Sequence, residues 1–258
     1  MTQTTPNGTP CWYELTTSDL TSAREFYANV AGWAIADAGM EGFTYLLAAA
    51  ADGGQVAGMS EMAGGDGPPP SWLVYFTADD VDAAAASVAA DGGSVLHEPT
   101  DIPGTGRFAI CADPQGAAFG LLTPEPMDAP LEHPAFDPAA TGHGNWHELM
   151  SSDPAAAFDF YAARFAWRLG EAMDMGDMGT YQLFGIGESD IGGMMGLGDA
   201  PVSNWLPYFG VDGVDAAIAR ITDGGGSIHH GPMEVPGGAF VAVAQDPQQA
   251  WFAITGPR

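Results

Sequence analysis

Two short stretches place an indole and a carboxylate two residues apart: Trp12-Tyr13-Glu14 and Trp146-His147-Glu148. In an extended strand such residues share a face, so each pair would present a flat aromatic surface beside an acid. In a cleft, that acid can have a raised pKa and act as a general base, or it can accept a hydrogen bond from a ligand amine or hydroxyl. The structural alternative is an acceptor for backbone or tyrosine donors where two modules join. Trp72 and Tyr75, with Trp205 and Tyr208 as their counterparts, add indole N–H and phenol O–H groups that either orient a ligand or fill a core between helix and sheet. Arg107 is suited to a ligand carboxylate or, equally, to surface aspartates. His147 should face away from Trp146 and Glu148. The adjoining His229 and His230 would point to opposite faces of a strand, which is poor geometry for a shared metal. Met173, Met175 and Met178 lie in a glycine-broken loop and serve as an apolar rim or as core filling. No GxSxG, Walker loop, GxGxxG with an acidic ribose partner, or HExxH occurs, so hydrolase, nucleotide and zincin chemistries drop out.

These residues belong to a framework that occurs twice. CWYELTTSDLTSAREFY from Cys11 matches NWHELMSSDPAAAFDFY from Asn145, and SWLVYFTADDVDAA from Ser71 matches NWLPYFGVDGVDAA from Asn204. DGGSVLHEP from Asp91 returns as GGGSIHHGP from Gly224, and Asp113-Pro114-Gln115 as Asp246-Pro247-Gln248. Order and spacing hold throughout, the signature of a tandem repeat. Pro124 to Gly144 carries five prolines and no clear period, the composition of an extended linker. The expected layout is a tail over 1–10, a first domain over 11–123, a linker over 124–144 and a second domain over 145–258.

Each copy halves again. A strand from Cys11 to Thr17 precedes a helix capped by Asp19, with Leu20, Ala23, Phe26, Tyr27 and Val30 on one face, and then three short strands. The order repeats from Trp72, through an Ala-rich helix opened near Asp80 and closed by Gly92-Gly93. The pattern predicts an α+β fold of βαβββ modules, two per domain, curling as a sheet around a cleft with helices outside.

Composition narrows the partners. Thirty-three acidic residues against six arginines and no lysine give a net charge of -27, which repels nucleic acid and anionic membranes. No apolar run approaches the roughly 20 residues of a spanning helix. The start, MTQTTPNGTP, lacks the basic and apolar regions of a signal peptide, so the expected location is the cytoplasm. Cys11 and Cys111 have no CxxC or Cys/His company and read as buried thiols.

In its first strand running into Ser-Asp and a Phe-Tyr helix, its Asp79-Asp80-Val81-Asp82-Ala83 helix entry and its Asp113-Pro114-Gln115-Gly116 turn, the chain resembles the vicinal oxygen chelate superfamily. That is the fold of glyoxalase I, bleomycin-resistance proteins and extradiol dioxygenases. The resemblance covers nearly everything but the tail and the linker, and tandem members opening on Trp-x-Glu-Leu are glyoxalase-like or hydroxylase-like. It implies four metal-ligand positions per domain, which fall here on Trp12, Gly58, Leu73 and Gly120, and on Trp146, Gly193, Leu206 and Ala253. A one-residue bulge would put Trp72 and Trp205 in place of Leu73 and Leu206. Neither set offers the carboxylate, imidazole or thiolate donors a cation needs. The expectation is therefore no cofactor and no metal, and a small aromatic or apolar ligand in aromatic-lined clefts. Trp12, Trp72, Tyr75, Arg107, Trp146, Trp205 and Tyr208 would contact it, with Glu14 and Glu148 as the groups able to catalyse. The alternative is a glyoxalase-type lyase, isomerase or dioxygenase, with a Glu base or an unusual metal site. Fused copies allow a monomer, and a homodimer is the other option.

Overall fold

The computed structural model describes residues 5–62, 69–125 and 131–258, so parts of the expected tail and linker lie outside it. The first copy contains β1 (Pro10–Thr17), α1 (Leu20–Val30), β2 (Ala34–Asp37), β3 (Tyr45–Ala49) and β4 (Gln55–Glu61), then β5 (Ser71–Thr77), α2 (Val81–Ala90), β6 (Ser94–Ile102), β7 (Gly106–Ala112) and β8 (Ala118–Pro124). The second repeats the order: β9 (Gly144–Ser151), α3 (Pro154–Ala162), β10 (Trp167–Asp174), β11 (Thr180–Ile186) and β12 (Ser189–Gly196), then β13 (Asn204–Gly210), α4 (Val214–Asp223), β14 (Ser227–Glu234), β15 (Phe240–Gln245) and β16 (Trp251–Gly256). The strands form two eight-stranded mixed sheets, ordered β2-β3-β4-β1-β5-β8-β7-β6 and β10-β11-β12-β9-β13-β16-β15-β14. Three helices start where a side-chain carboxylate meets an orphan amide: Asp19 accepts from Ser22, Asp80 from Ala83 and Asp153 from Ala156. Among the described residues no helix is long and apolar enough to cross a membrane.

The chain packs into two units, and each draws on both copies: Met1–Cys11, Leu73–Leu131 and His147–Trp205 in one, Trp12–Trp72, Glu132–Trp146 and Leu206–Arg258 in the other. In the second unit, the buried face of α1 brings Tyr27 within 5.4 Å of Phe252, ring to ring. The Tyr27 hydroxyl accepts from Trp72 Nε1 at 2.8 Å and donates to Asp246 at 3.0 Å. The first unit builds the same device from the other halves. Tyr161 accepts from Trp205 Nε1 at 2.9 Å and donates to Asp113 at 3.1 Å, with Phe119 5.2 Å away. The Asp-Pro-Gln turns are thus more than punctuation. Asp246 also takes the amides of Gln248 and Ala250, and Asp113 those of Gln115 and Ala117.

Burial raises the pKa of Asp113 and Asp246 above the usual carboxylate range, although these hydrogen bonds pull the other way. The folded state therefore holds a proton on these groups more tightly than the unfolded chain does. Their contribution to stability is complete below the ordinary carboxylate range and is lost as pH climbs through the raised value. The wild type should lose stability relative to Asp246→Asn as pH rises from below the ordinary carboxylate range through the raised pKa. Urea midpoints at several pH values check this, and parallel profiles for the two proteins would refute it.

The proline-rich stretch, expected as an extended linker, is fastened where described. Gly142 N–H donates to Gly210 O at 2.8 Å, and Trp33 Nε1 reaches Gly142 O at 2.6 Å. The buried His143 has Pro134 O at 2.7 Å from Nδ1 and Asp52 at 3.0 Å from Nε2.

Candidate functional site

Alternation along β1 buries Tyr13, Leu15 and Thr17 and leaves Trp12, Glu14 and Thr16 on the opposite, partly open face. Parallel β4 lies alongside with Glu14 opposite Gly58. The absence of a side chain at Gly58 is used by its neighbour on β3: a Cβ there would lie 1.8 Å from the hydroxyl of Tyr45. That hydroxyl accepts from Trp12 Nε1 at 3.3 Å and donates to Glu14. Burial, reinforced by the Glu14 charge, pushes the phenol pKa upward, so Tyr45 stays protonated. Indole, phenol and carboxylate form one hydrogen-bonded group on a single strand face.

The second copy repeats part of this. Glu148 lies opposite Gly193, and a Cβ on Gly193 would lie 2.2 Å from Cζ of Tyr181. His147 is fully buried on the other face, bonded through Nδ1 to Ile191 O at 2.8 Å, and burial lowers its pKa to about 4. It is a neutral core histidine.

On β5, Trp72 and Tyr75 separate. Trp72 is 5% exposed among Tyr27, Trp33 and Phe209, and Trp205 is likewise 5% exposed against Tyr161, Phe76 and Trp167. Both tryptophans, expected as ligand contacts, are core residues whose N–H groups are used by Tyr27 and Tyr161. The bulged alignment is thereby set aside, because Leu73 and Leu206 are the residues on the other face. Tyr75 pairs with Gly120, where a Cβ would lie 2.1 Å from its ring, and Phe108 follows at 6.5 Å with His97 stacked on it at 4.8 Å. In the second copy Tyr208 pairs with Ala253 and joins Leu206 and Val241 in an apolar cluster, against which Trp146, Met233, Val235 and Val243 pack. Arg107, the expected cationic contact, is held instead by Asp82 (2.7 and 2.9 Å) and Asp101 (2.8 Å), because its side chain lies on the same side as the start of α2. Met178 is exposed and lines a surface groove of about 500 Å³ with Phe158, Leu169 and Gln182.

Tyr45 and Tyr181 were missed in the sequence. Their signal was the recurrence of Thr-Tyr-x-Leu, Thr44 to Leu47 and Thr180 to Leu183, on the strand next to the glycines they cover.

Two eight-stranded sheets from paired βαβββ modules define a protein of the vicinal oxygen chelate class. The chain belongs to the Glyoxalase/Bleomycin resistance protein/Dioxygenase superfamily, whose sequence profile matches residues 11–121 and 143–254. It is 34% identical over 254 residues to CFP32 of Mycobacterium bovis, a protein named as a glyoxylase, across 97% of this chain and 95% of the relative. It is 33% identical over 274 residues to the anthracycline biosynthesis protein DnrV of Streptomyces peucetius, across 98% and 94%. The Mn(II)-bound glyoxalase from Novosphingobium aromaticivorans superposes with a TM-score of 0.66 at 19% identity, over 97% of this chain and 83% of that one. The 2,3-dioxygenase LapB from Pseudomonas sp. KL28 gives 0.66 at 14%, over 98% and 94%. At such identities these two structures speak for the fold alone.

A divalent cation like that of the manganese-bound structure does not fit the residues present. Tyrosine rings cover Gly58, Gly120 and Gly193, so none of these places has room for a ligating side chain. Trp146, Leu206 and Ala253, three of the four implied positions of the second copy, pack together as apolar groups. Indole, alkyl and backbone hydrogen offer no donor pair to an ion. Among the described residues no group of three or more His, Cys, Asp or Glu side chains is arranged to hold a metal ion.

Proposed function

We propose that the chain binds a planar aromatic organic molecule, uncharged or cationic, without a metal. Indole, phenol and apolar strand faces supply contact area, and Glu14 and Glu148 receive the ligand's hydroxyl or amine hydrogens. The carrying observation is the Trp12–Tyr45–Glu14 group, which stands where the family resemblance would put metal ligands. Charge supports the restriction on the ligand. Five of the six arginines are paired with aspartates, lysine is absent, and the net charge is -27, so an anion has little to meet. The naming of DnrV for anthracycline biosynthesis fits a polycyclic aromatic ligand. On this reading each sequence copy, 11–123 and 145–258, contributes one such face.

A second reading is enzymatic, favoured by the Tyr45 hydroxyl donating to Glu14. A protonated phenol and a carboxylate side by side can deliver and remove a proton, as a metal-independent isomerase, lyase or cyclase requires.

Calorimetric titration with 1,4-dihydroxyanthraquinone, cationic proflavine and anionic anthraquinone-2-sulfonate tests the proposal. The first two should bind and the sulfonate should not. Glu14→Gln and Tyr45→Phe should each weaken dihydroxyanthraquinone binding about 10- to 100-fold, the worth of a charge-assisted hydrogen bond. Equal affinity for the sulfonate, or unchanged binding in both variants, would sink it. Chemical conversion of a bound ligand that stops in Glu14→Gln while binding persists would establish the enzymatic reading instead.

A further inference from the structure

The apolar cluster around Ala253 extends toward an exposed ring. Along β16, Phe252 enters the aromatic core beside Phe26 and Tyr27, so Trp251 and Ala253 share the opposite face, about 7 Å apart. Trp251 is 43% exposed, and the ring of His229 lies against it at 4.3 Å.

The histidine is fixed in one tautomer by a relay. Gln249 O accepts from Gln245 Nε2 at 3.0 Å, which orients the Gln245 carbonyl oxygen toward His229 Nε2 at 2.9 Å. Nε2 must then carry the hydrogen, which Ser227 Oγ at 3.1 Å can share, and Nδ1 is left as an acceptor. The relay uses a costly backbone: Gln249 has φ 74°, a left-handed conformation that the first copy assigns to Gly116. Matching strand register shows that the first copy has none of this. Ser94, Ala112 and Ala118 align across β6, β7 and β8 as Ser227, Gln245 and Trp251 do across β14, β15 and β16, and Leu96 stands for His229.

We infer that Trp251, His229 and Gln245 form a stacking subsite, present in the second copy alone, that takes one ring of a fused planar ligand and accepts a hydroxyl on that ring at His229 Nδ1. The inference rests on the aromatic-ligand reading above and sharpens it. A single ring can cover either Trp251 or the partly buried Val243, which lies across from Ala253 on β15, whereas a fused ring system spans both. The ligand class is therefore a hydroxylated polycyclic aromatic.

The test titrates the intact chain, Trp251→Ala and His229→Leu with 1,4-dihydroxyanthraquinone, unsubstituted 9,10-anthraquinone and the single-ring resorcinol. Trp251→Ala should lose about tenfold in affinity for both anthraquinones. His229→Leu should lose affinity for the hydroxylated compound and keep it for the unsubstituted one, and resorcinol should bind the wild type weakest. If the wild type binds the anthraquinones and Trp251→Ala binds them equally well, the subsite falls while the broader reading stands. If His229→Leu shows no selective loss, the hydroxyl acceptor falls. If the wild type binds neither anthraquinone, both readings fall.

Discussion

Trp72→Ala should cost the fold about 3–5 kcal/mol, and Trp205→Ala as much, because each removes a fully packed indole and strands a tyrosine hydroxyl. Trp72 fills the space between Tyr27 at 5.2 Å and Phe209 at 5.0 Å and supplies the N–H that the Tyr27 oxygen accepts. Trp205 does the same beside Phe76 at 5.2 Å and Tyr161 at 5.4 Å. Phenylalanine at either position keeps most of the ring and loses the hydrogen bond, so it should cost nearer 1 kcal/mol. Trp12→Ala makes the contrast: its indole lies on the partly open face, so ligand affinity should fall while the unfolding midpoint moves much less. Urea unfolding with a common m-value measures all five. A Trp72→Ala midpoint close to wild type, or a Trp12→Ala protein as destabilised as Trp72→Ala, would contradict the division between core and site.

That division shows what the sequence could carry. Period-two alternation was enough to put Trp12 with Glu14 and to turn His147 away, since strand faces follow from spacing alone. It could not decide between Trp72 and Leu73, where one residue of slip exchanges the faces and both side chains are apolar. Glycine at 58, 120 and 193 read as vacancy. In the fold it is the floor on which Tyr45, Tyr75 and Tyr181 lie, a relation between strands that no local pattern contains. Arg107 was legible as a cation and its partner was not, because Asp82 and Asp101 come to it from other elements. The repeat itself was plain, since strand, capped helix and Asp-Pro-Gln turn return in order. Its pairing was hidden: both copies carry a Phe-Tyr helix and a buried aspartate, so partners within one copy or across the two satisfy the same sequence. The structure takes the crossed choice, Tyr27 with Asp246 and Tyr161 with Asp113.

Because of that crossing, division of the chain between residues 131 and 132 should abolish monomeric folding of both pieces. The first piece would keep Phe26, Tyr27, Trp33 and Trp72 but lose Phe209, Phe252 and Asp246, and it would keep Phe76 and Phe119 but lose Tyr161, Trp167 and Trp205. Half a dozen large side chains returned to water, at about 1.5–3 kcal/mol each, amount to roughly 10 kcal/mol or more. A domain of this size is commonly stable by only about 5–15 kcal/mol, so neither half has the margin to stand alone. Each piece purified by itself should be unfolded or self-associated, and mixing the two should give a 1:1 complex with a cooperative thermal transition and protected tyrosine hydroxyls. Sedimentation and circular dichroism on the separate and mixed pieces decide the matter. A cooperative melt from either piece as a monomer would mean that each copy folds as a self-sufficient domain, and the crossed tyrosine–aspartate pairs would then be additions to the fold and not its foundation.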